Sequence, residues 1–278
     1  MTKKKKLIIS IFSILLVIVL GFVGVLFISP KTPPKVISLN EKDLPTDGVN
    51  LVAHRGFSAV APENSDMAFI KAGEAEFFAS ECDIQLSKDN VWVVNHNDSI
   101  DHMTDGTGKI SEMTYKEISQ YFIDNGNNWE QYPNQKLITL EDYLAICDQY
   151  EIIPQIEVKE GNYRCLDKIL TALDNYDGMR ENAIIISFDG VILEKIRNLD
   201  NDIEIWYLTH EITEDQIKLA KLNNYALAFN GRKYDEKMLK KAQDENIKLA
   251  TWTIDSIKLY EELYNLGIRN FTTNRLTK

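Results

Sequence analysis

The chain of 278 residues contains few cysteines, and their arrangement excludes several classes of protein. Cys82, Cys147 and Cys165 are odd in number, widely spaced and set in apolar segments. This pattern argues against a disulfide framework, and no cysteine or histidine spacing typical of a zinc site is present. The three cysteines are therefore predicted to be buried free thiols.

Basic residues are also in deficit. The formal net charge is −11, and the cluster Lys3, Lys4, Lys5 and Lys6 precedes the first acidic residue, Glu41. Binding to nucleic acid requires a basic face, so the acidic body argues against a nucleic-acid partner. A phosphate site in this chain would need cations of its own.

One stretch lacks charged residues altogether. Residues 7–28, LIISIFSILLVIVLGFVGVLFI, form a run of about 22 residues, which at 1.5 Å each is enough to cross a hydrocarbon core of about 30 Å. The lysines before it favour a cytoplasmic N-terminus. A cleaved signal peptide is the alternative, but its apolar run is usually shorter and ends in small residues. An uncleaved single-pass anchor is predicted.

These features divide the chain into four parts. We expect a basic cytoplasmic tail over residues 1–6, a transmembrane anchor over 7–28, an extracytoplasmic linker over 29–48, and a folded domain over 49–278. Prolines at positions 30, 33, 34 and 45 predict that the linker is a stiff, extended spacer. The domain would then lie outside the membrane.

Short β-branched runs alternate with amphipathic helices through the rest of the chain. Strands are predicted at residues 50–54, 78–86, 152–159, 183–187, 203–208, 226–230, 248–253 and 270–273. Helices are predicted between them at 64–74, 140–150, 163–173, 191–198, 213–222, 235–245 and 256–266. Eight strands separated by helices over this length indicate an α/β fold, a closed (β/α)₈ TIM barrel.

The alternation is interrupted between residues 91 and 136. The run VWVVNHN predicts a strand that pairs back on the second strand, and about 40 residues with several glycines and asparagines follow. We interpret this segment as a small insertion after the second strand, on the top of the barrel.

Polar residues are concentrated where the predicted strands end, which is where a TIM barrel builds its active site. His54 and Arg55 follow the first strand, and Glu81 and Asp83 lie on the second. The others are His96 in the adjoining hairpin, Glu157 and Lys159 on the third strand, and Trp252 on the seventh.

Three of these residues form a predicted metal site. Glu81 and Asp83 are two residues apart, so they point to the same face of a strand, and Glu157 lies on the next strand. Three converging carboxylates repel one another unless a cation lies between them. A divalent metal ion that prefers oxygen ligands, Mg²⁺ or Ca²⁺, is the simplest explanation.

The remaining polar residues predict phosphoryl transfer. Two imidazoles that titrate near neutrality, His54 and His96, can serve as general base and general acid. Arg55 and Lys159 would hold the phosphate oxygens. A metal, two cations and an acid/base pair together favour phosphoryl transfer over acyl transfer.

Five separated motifs resemble those of the glycerophosphodiester phosphodiesterase family. They are HRG…APENS…AF, ECDIQLSKDNVWVVNHN, IEVK, ISFD and TWTID, in that order, and the resemblance covers about residues 50–278. It implies a barrel with an inserted element, which uses a divalent metal to hydrolyse a phosphodiester of glycerol to glycerol phosphate and an alcohol.

The resemblance also implies a role for each matching residue. His54 and His96 would be the acid/base pair, and Arg55 and Lys159 the phosphate clamp. Glu81, Asp83 and Glu157 would be the metal ligands. Trp252 would form a wall of the substrate pocket, with packing inside the barrel as the alternative role.

Three positions depart from the family pattern. Asn97 follows His96 where aspartate is usual, Ser65 replaces threonine, and the last strand ends FTTN where ITD is typical. Loss of a carboxylate beside His96 is expected to lower its basicity. His102 and His210 are interpreted as loop residues.

Three functions remain open at this point. The preferred one is a membrane-anchored, metal-dependent phosphodiesterase acting on small glycerophosphodiesters, lysophospholipids or glycerol-phosphate polymers. A phospholipase C- or D-like enzyme acting on the last two is kept as an alternative form of it. The second is an inactive barrel that binds phosphodiesters or a partner, which Asn97 and Asn274 favour. The third keeps the fold but forms a cyclic phosphate.

Overall fold

The computed structural model describes residues 33–278, in which strands and helices alternate. The strands are β1 (Ile37–Ser38), β2 (Asn50–Ala53), β3 (Ala79–Leu86), β4 (Trp92–Val94), β5 (Ile153–Val158), β6 (Ile184–Ser187), β7 (Glu204–Thr209), β8 (Ala226–Asn230), β9 (Leu249–Trp252), β10 (Asn270–Thr273) and β11 (Leu276–Thr277). The helices are α1 (Asp66–Glu74), α2 (Tyr115–Ile118), α3 (Leu140–Gln149), α4 (Leu166–Leu173), α5 (Met179–Asn182), α6 (Gly190–Leu199), α7 (Glu214–Asn223), α8 (Glu236–Asp244) and α9 (Ile257–Asn265).

Eight of the strands close into a parallel barrel. Their order is β2, β3, β5, β6, β7, β8, β9 and β10, and β10 pairs again with β2. The predicted (β/α)₈ TIM barrel is confirmed, and each predicted strand matches an observed one to within about a residue at either end.

Side chains alternate between the inside of the barrel and the layer under the helices. On β3, Glu81 and Asp83 face inward, whereas Cys82 and Ile84 belong to the main apolar core. Cys82 is buried and forms no disulfide bond. The two-residue period of a strand therefore places both acidic residues of β3 on the interior face.

Helix starts follow the local signals in the sequence. Thr139 and Thr213 each form a capping box with the residue three positions on, Asp142 and Gln216. In α3 and α7 the two residues of the box therefore bind each other's backbone N–H group. Ser65 caps α1 by accepting from the backbone N–H of Ala68.

The predicted strand after β3 is present, and the segment that follows it forms an insertion. β4 pairs antiparallel with the second half of β3, whose first half pairs with β2. The insertion buries a small apolar cluster of its own, which consists of Val93, Ile100, Met103, Ile110, Ile118, Ile123 and Leu137. Its Asn127 and Asn128 donate to the backbone carbonyls of Ser58 and Val60, at 2.6 and 3.0 Å, so the insertion rests on the loop that follows β2.

The segment before β2 lies against the barrel. β1 pairs with β11, Leu39 is completely buried, and the Tyr260 hydroxyl donates to the carbonyl of Pro45. The compact unit begins at Pro34, earlier than the boundary at residue 49 that the prolines suggested. Residues 34–48 of the predicted linker therefore pack against the barrel, whereas the prolines predicted a stiff, extended spacer.

Residues 33–278 include no helix that is both long enough and apolar enough to cross a bilayer. The anchor predicted at residues 7–28 lies outside the described part of the chain.

Candidate active site

A pocket with an empty volume of about 600 Å³ opens at the carboxyl ends of the barrel strands. One side is lined by the charged and titratable residues His54, Arg55, Glu81, His96, Glu157 and Lys159. The other side is lined by the apolar residues Ile186, Phe188, Trp206, Leu208, Ala228 and Trp252. All eight residues predicted for the site therefore lie in or at this pocket, with Asp83 beside Arg55 and Lys159.

The three predicted metal ligands are close together and almost completely buried. Glu81, Asp83 and Glu157 have relative exposures of 2%, 1% and 9%. One carboxylate oxygen from each lies within 4.8 Å of the others. The Oε1 atom of Glu81 is buried without any hydrogen-bond partner. An all-oxygen donor set with an unbound lone pair fits a hard divalent cation.

Burial and mutual repulsion shift the ionisation of these carboxylates. Burial, together with the charge of Asp83, raises the pKa of Glu157 to about 7 and raises that of Glu81 as well. Burial also opposes ionisation of Asp83, but the Lys159 ammonium and the Arg55 guanidinium outweigh it and lower the pKa of that group. The site holds more negative charge than its own cations neutralise.

Lys159 and Arg55 bind the carboxylates from opposite sides. Lys159 Nζ lies 2.6 Å from Glu157 Oε1 and 3.3 Å from Asp83 Oδ1. Arg55 lies 2.7 Å from Glu63 Oε1 through NH1 and 3.4 Å from Asp83 Oδ2 through Nε. With Glu81, the site thus contains four carboxylates and two cations. A divalent ion would balance the remaining formal charge of −2.

The turn after β2 aims Arg55 at the pocket. Arg55 adopts a left-handed conformation with φ of 56°, and its backbone N–H donates to Glu81 Oε2 at 2.8 Å. Gly56 follows with φ of 74°, and a Cβ atom there would lie 2.6 Å from the backbone of Ala68. The close approach that the glycine permits is thus to helix α1.

Asn64 supports the acidic cluster, a contact that the sequence did not reveal. Its Nδ2 donates to Asp83 Oδ2 at 2.8 Å, and its Oδ1 accepts from the Asp83 backbone N–H at 3.2 Å. Asn64 is completely buried and has a positive φ of 55°. The available signal was the APENS motif, because asparagine tolerates this conformation better than most residues.

Each histidine is held at Nδ1 by an asparagine. Nδ1 of His96 lies 2.9 Å from Asn97 Oδ1, and Nδ1 of His54 lies 2.8 Å from Asn274 Oδ1. Burial and the charge of Arg55 lower the pKa of His54. Burial also lowers the pKa of His96, and Arg55 and Lys159 oppose its protonation while Asp83 favours it. Both rings are therefore predominantly neutral at neutral pH.

The apolar side of the pocket was only partly predicted. Trp252 lies in the wall, as expected, and its Nε1 donates to the carbonyl of Ala228 at 3.0 Å. Phe188 contacts it edge to face, with ring centroids 5.5 Å apart. His210, interpreted as a loop residue, is exposed, and its ring lies 5.2 Å from Phe188 and 5.9 Å from Trp252. Apart from Trp252, the sequence pointed to this wall only through Phe188 of the ISFD motif.

A closed parallel barrel with a polar pocket at the carboxyl ends of its strands defines the class: a TIM-barrel protein with the arrangement of an enzyme. Comparison with known proteins narrows this class. The family model described as the glycerophosphoryl diester phosphodiesterase family matches residues 54–278. The chain belongs to this family.

Individual relatives are more distant. The bovine glycerophosphodiester phosphodiesterase 1 is 28% identical over 60% of this chain and 52% of its own length, so the chain spans about half the length of this mammalian relative. The glycerophosphodiester phosphodiesterase of Caldanaerobacter subterraneus subsp. tengcongensis is 26% identical over 81% of this chain and 93% of its own.

Solved structures show the same fold. A phosphodiesterase from Oleispira antarctica, solved in complex with the product sn-glycerol-3-phosphate, has a TM-score of 0.75 with 23% identity and covers 86% of this chain and 96% of its own. The glycerophosphodiester phosphodiesterase from Thermotoga maritima has a TM-score of 0.64 with 22% identity, over 82% of this chain and 95% of its own. At these identities the likeness concerns the fold.

Proposed function

We propose that the chain is a metal-dependent phosphodiesterase that hydrolyses glycerophosphodiesters to glycerol phosphate and an alcohol. The observation that carries the proposal is that one pocket contains two histidines, two cations and a cluster of three carboxylates. Membership of the family supports the reaction, and the glycerol phosphate named for the Oleispira antarctica enzyme supports the product.

Arg55 and Lys159 bind the phosphate group in this proposal. Both point into the pocket, and both already contact the carboxylate of Asp83, which fixes the positions of their charged ends. The ion pair with Glu63 restrains the guanidinium of Arg55 further. A guanidinium held in this way can donate to two phosphate oxygens at once, whereas Lys159 acts as a point charge.

His54 and His96 transfer the protons. One ring removes a proton from the attacking water, and the other donates one to the leaving alcohol oxygen. Their lowered pKa values leave a lone pair available for the base. The anionic phosphodiester would raise the pKa of the ring beside it and so favour the protonated acid in the enzyme–substrate complex.

Glu81, Asp83 and Glu157 would hold a divalent metal ion, Mg²⁺ or Ca²⁺. When bound, the ion would offset the negative charge of the phosphate oxygens. The unbound Oε1 of Glu81 and the raised pKa of Glu157 support this assignment, because both indicate that the cluster is short of positive charge.

The apolar wall receives the part of the substrate that carries no phosphate. Trp252 and Phe188 present aromatic surface at the mouth, whereas Trp206 and Leu208 are buried deeper in the barrel. Such a surface suits the carbon skeleton of a small alcohol or of the alcohol in a lysolipid headgroup. A small-molecule glycerophosphodiester or lysolipid is therefore the proposed substrate class.

The proposed location is the outer face of a membrane. The uncharged run at residues 7–28 is long enough to cross a bilayer, and the lysines before it favour a cytoplasmic N-terminus. Protease treatment of intact cells tests this arrangement. The domain should be degraded from outside, and full protection of the domain would refute the orientation.

Release of glycerol phosphate from glycerophosphocholine and glycerophosphoethanolamine tests the reaction. The full chain in detergent should lose activity in EDTA and regain it with Mg²⁺ or Ca²⁺, and the same preparation carrying His54→Ala is the control for contaminating enzymes. A cyclic phosphate product would show that a hydroxyl group of the substrate attacks the phosphate in place of water. No turnover of these diesters, of lysophospholipids or of glycerol-phosphate oligomers would favour a binding protein.

A further inference from the structure

A chain of hydrogen bonds connects His54 to Asp255 through the side chain of Asn274. Asn274 Oδ1 lies 2.8 Å from His54 Nδ1 and also accepts from the Ser58 hydroxyl at 3.0 Å. On the other side, Asn274 Nδ2 donates to Asp255 Oδ2 at 2.6 Å. The asparagine thus lies between a carboxylate and an imidazole.

Asp255 is itself held rigidly in place. Its Oδ1 accepts from the backbone N–H of Asn274 at 2.8 Å and from the Thr273 hydroxyl at 3.1 Å. The Nε of Arg275 donates to the backbone carbonyl of Asp255 at 3.1 Å. The carboxylate therefore has a fixed position relative to the end of β10.

This arrangement determines which nitrogen of His54 carries the proton. A carboxylate offers only acceptor atoms, so the NH₂ group of Asn274 must face Asp255 and its carbonyl oxygen must face the histidine. A carbonyl oxygen can only accept, so the hydrogen-bonded Nδ1 must be the protonated nitrogen. Nε2 then keeps its lone pair.

We infer that Asp255 is a positioning residue which, through Asn274, fixes His54 in the tautomer with Nδ1 protonated and Nε2 free to accept a proton. Asp255 acts through Asn274 and needs no contact with substrate. The catalytic consequence rests on the function proposed above. The tautomer of His54 does not, because it follows from hydrogen bonds within the chain.

The variant Asp255→Asn reverses the direction of these bonds. The oxygen of its new amide can still accept from the Thr273 hydroxyl and from the backbone N–H of Asn274. Its NH₂ group then faces the side chain of Asn274. Asn274 would then rotate its amide and present NH₂ to His54, whose Nδ1 would have to accept and lose its proton. Turnover should fall about 10–100-fold or more, with little change in KM.

A double substitution distinguishes positioning from a general structural role. Asn274→Asp alone places two carboxylates side by side and should also impair the protein. Combining Asp255→Asn with Asn274→Asp restores a donor facing an acceptor, and the new carboxylate again holds the Nδ1 proton of His54. The double variant should therefore be more active than either single variant.

Nitrogen-15 NMR of the metal-free full chain in detergent reads the tautomer without any assay. The chain has four histidines, and the spectrum of His54→Ala identifies the signal of interest. We expect a protonated Nδ1 in the wild type and in the double variant, and a protonated Nε2 in Asp255→Asn. A wild type with protonated Nε2, or an unchanged tautomer in Asp255→Asn, overturns the inference.

Asp235→Asn is the matched control, since Asp235 caps α8 in the loop after β8 and accepts from the N–H groups of Lys237 and Met238. It should leave the His54 spectrum unchanged. If Asp255→Asn does not fold, the double variant provides the test, and a protonated Nε2 of His54 in its spectrum would overturn the inference. An inactive wild type with the expected tautomer would reject the proposed function and retain this inference.

Discussion

The two halves of the barrel mouth are built from equivalent strand positions but have opposite chemistry. Across one row of the sheet, Asp83 pairs with Glu157, Glu157 with Ile186, and Ile186 with Trp206. The change from charged to apolar residues therefore occurs in one step, between β5 and β6. The backbone is the same on both sides, so the side chains alone make one half costly to bury and the other half stabilising.

The difference indicates where the barrel has given up stability for chemistry. The apolar half is filled in the usual manner of a barrel interior, with Trp206 buried in one cluster with alanines of β8 and β9. The charged half carries buried carboxylates with raised pKa values and a buried oxygen without a partner. Interiors of this kind are typical of sites prepared for a ligand that is itself charged.

The largest effect should follow from removing one of the two histidines of the charged half that are proposed to transfer protons. His54→Ala should reduce turnover by about 10²–10⁴-fold, because no other group replaces the ring at that position. Thermal unfolding and metal affinity should remain nearly unchanged, since His54 lies outside the carboxylate cluster. Glycerol phosphate release measures the loss, and near-normal activity would disprove the assignment.

A metal-ligand substitution should act in opposite directions with and without metal. Glu81→Gln should raise the metal concentration needed for half activity by at least about 10-fold, because it removes a charged oxygen ligand. Without metal, the same change relieves repulsion among buried carboxylates. A gain of about 1–2 kcal/mol would raise Tm by about 2–8 °C at pH 8. Isothermal titration and thermal unfolding in EDTA measure the two effects.

The pH dependence of the metal-free protein checks the same point. A carboxyl group whose folded pKa is raised binds its proton more tightly in the folded state, so stability is highest below the unfolded pKa. The stability that Glu157 contributes should decline as the pH rises from about 4.5 to about 7.

Glu261→Gln, at an exposed position on α9, is the control for Glu81→Gln and should leave Tm and metal affinity unaltered. An equal metal requirement in Glu81→Gln and wild type would refute the ligand role.

In the apolar half, a substitution should affect substrate binding more than the chemical step. Trp252→Ala should lower kcat/KM about 10-fold, about 1.4 kcal/mol, mainly through KM, because the alcohol loses its aromatic contact. Trp252→Phe keeps an aromatic face and should retain most of the activity. Steady-state kinetics with glycerophosphocholine and glycerophosphoethanolamine measure both parameters. A loss confined to kcat would instead indicate that Trp252 orients the charged half.

The smallest effect is expected at Asn97, the uncharged residue that holds Nδ1 of His96. Asn97→Asp would place a carboxylate where the amide oxygen now lies 2.9 Å from Nδ1, and would raise the pKa of the ring by about one unit. The limb of the pH–rate profile governed by His96 should shift to higher pH by that amount, whether the ring is acid or base. An unmoved profile would exclude His96 from proton transfer.

The fold and the charged half were predictable because both depend on local patterns. Strand and helix alternation defined the barrel, and the two-residue period placed Glu81 and Asp83 on one face. The apolar wall was harder to predict, because Phe188 and Trp206 have the same pattern as any barrel-filling residue. Prolines predicted a stiff, extended spacer before residue 49, but Leu39 is buried in the core. Burial of that kind depends on distant partners, which a local pattern does not reveal.

The orientation of Asn274 illustrates the same limit. Its neighbours in sequence mark it as the end of a strand, but its role depends on His54 and Asp255, which are 220 and 19 positions away. A sequence gives the type of an asparagine side chain but not which end of its amide faces a histidine. That direction is determined only once Asp255 has been placed.

The pairing of β10 with β2 also dictates an order of assembly. During synthesis, residues 50–53 must wait for residues 270–273 before the barrel closes, and the segment at residues 37–38 must wait for residues 276–277. The carboxylates of β3 and β5 are synthesised early, whereas the asparagine that holds His54 comes near the end. A nascent chain that has reached α9 therefore contains the residues of the acidic cluster but still lacks the asparagine that holds His54. Its open sheet edges must be protected from aggregation until β10 is made.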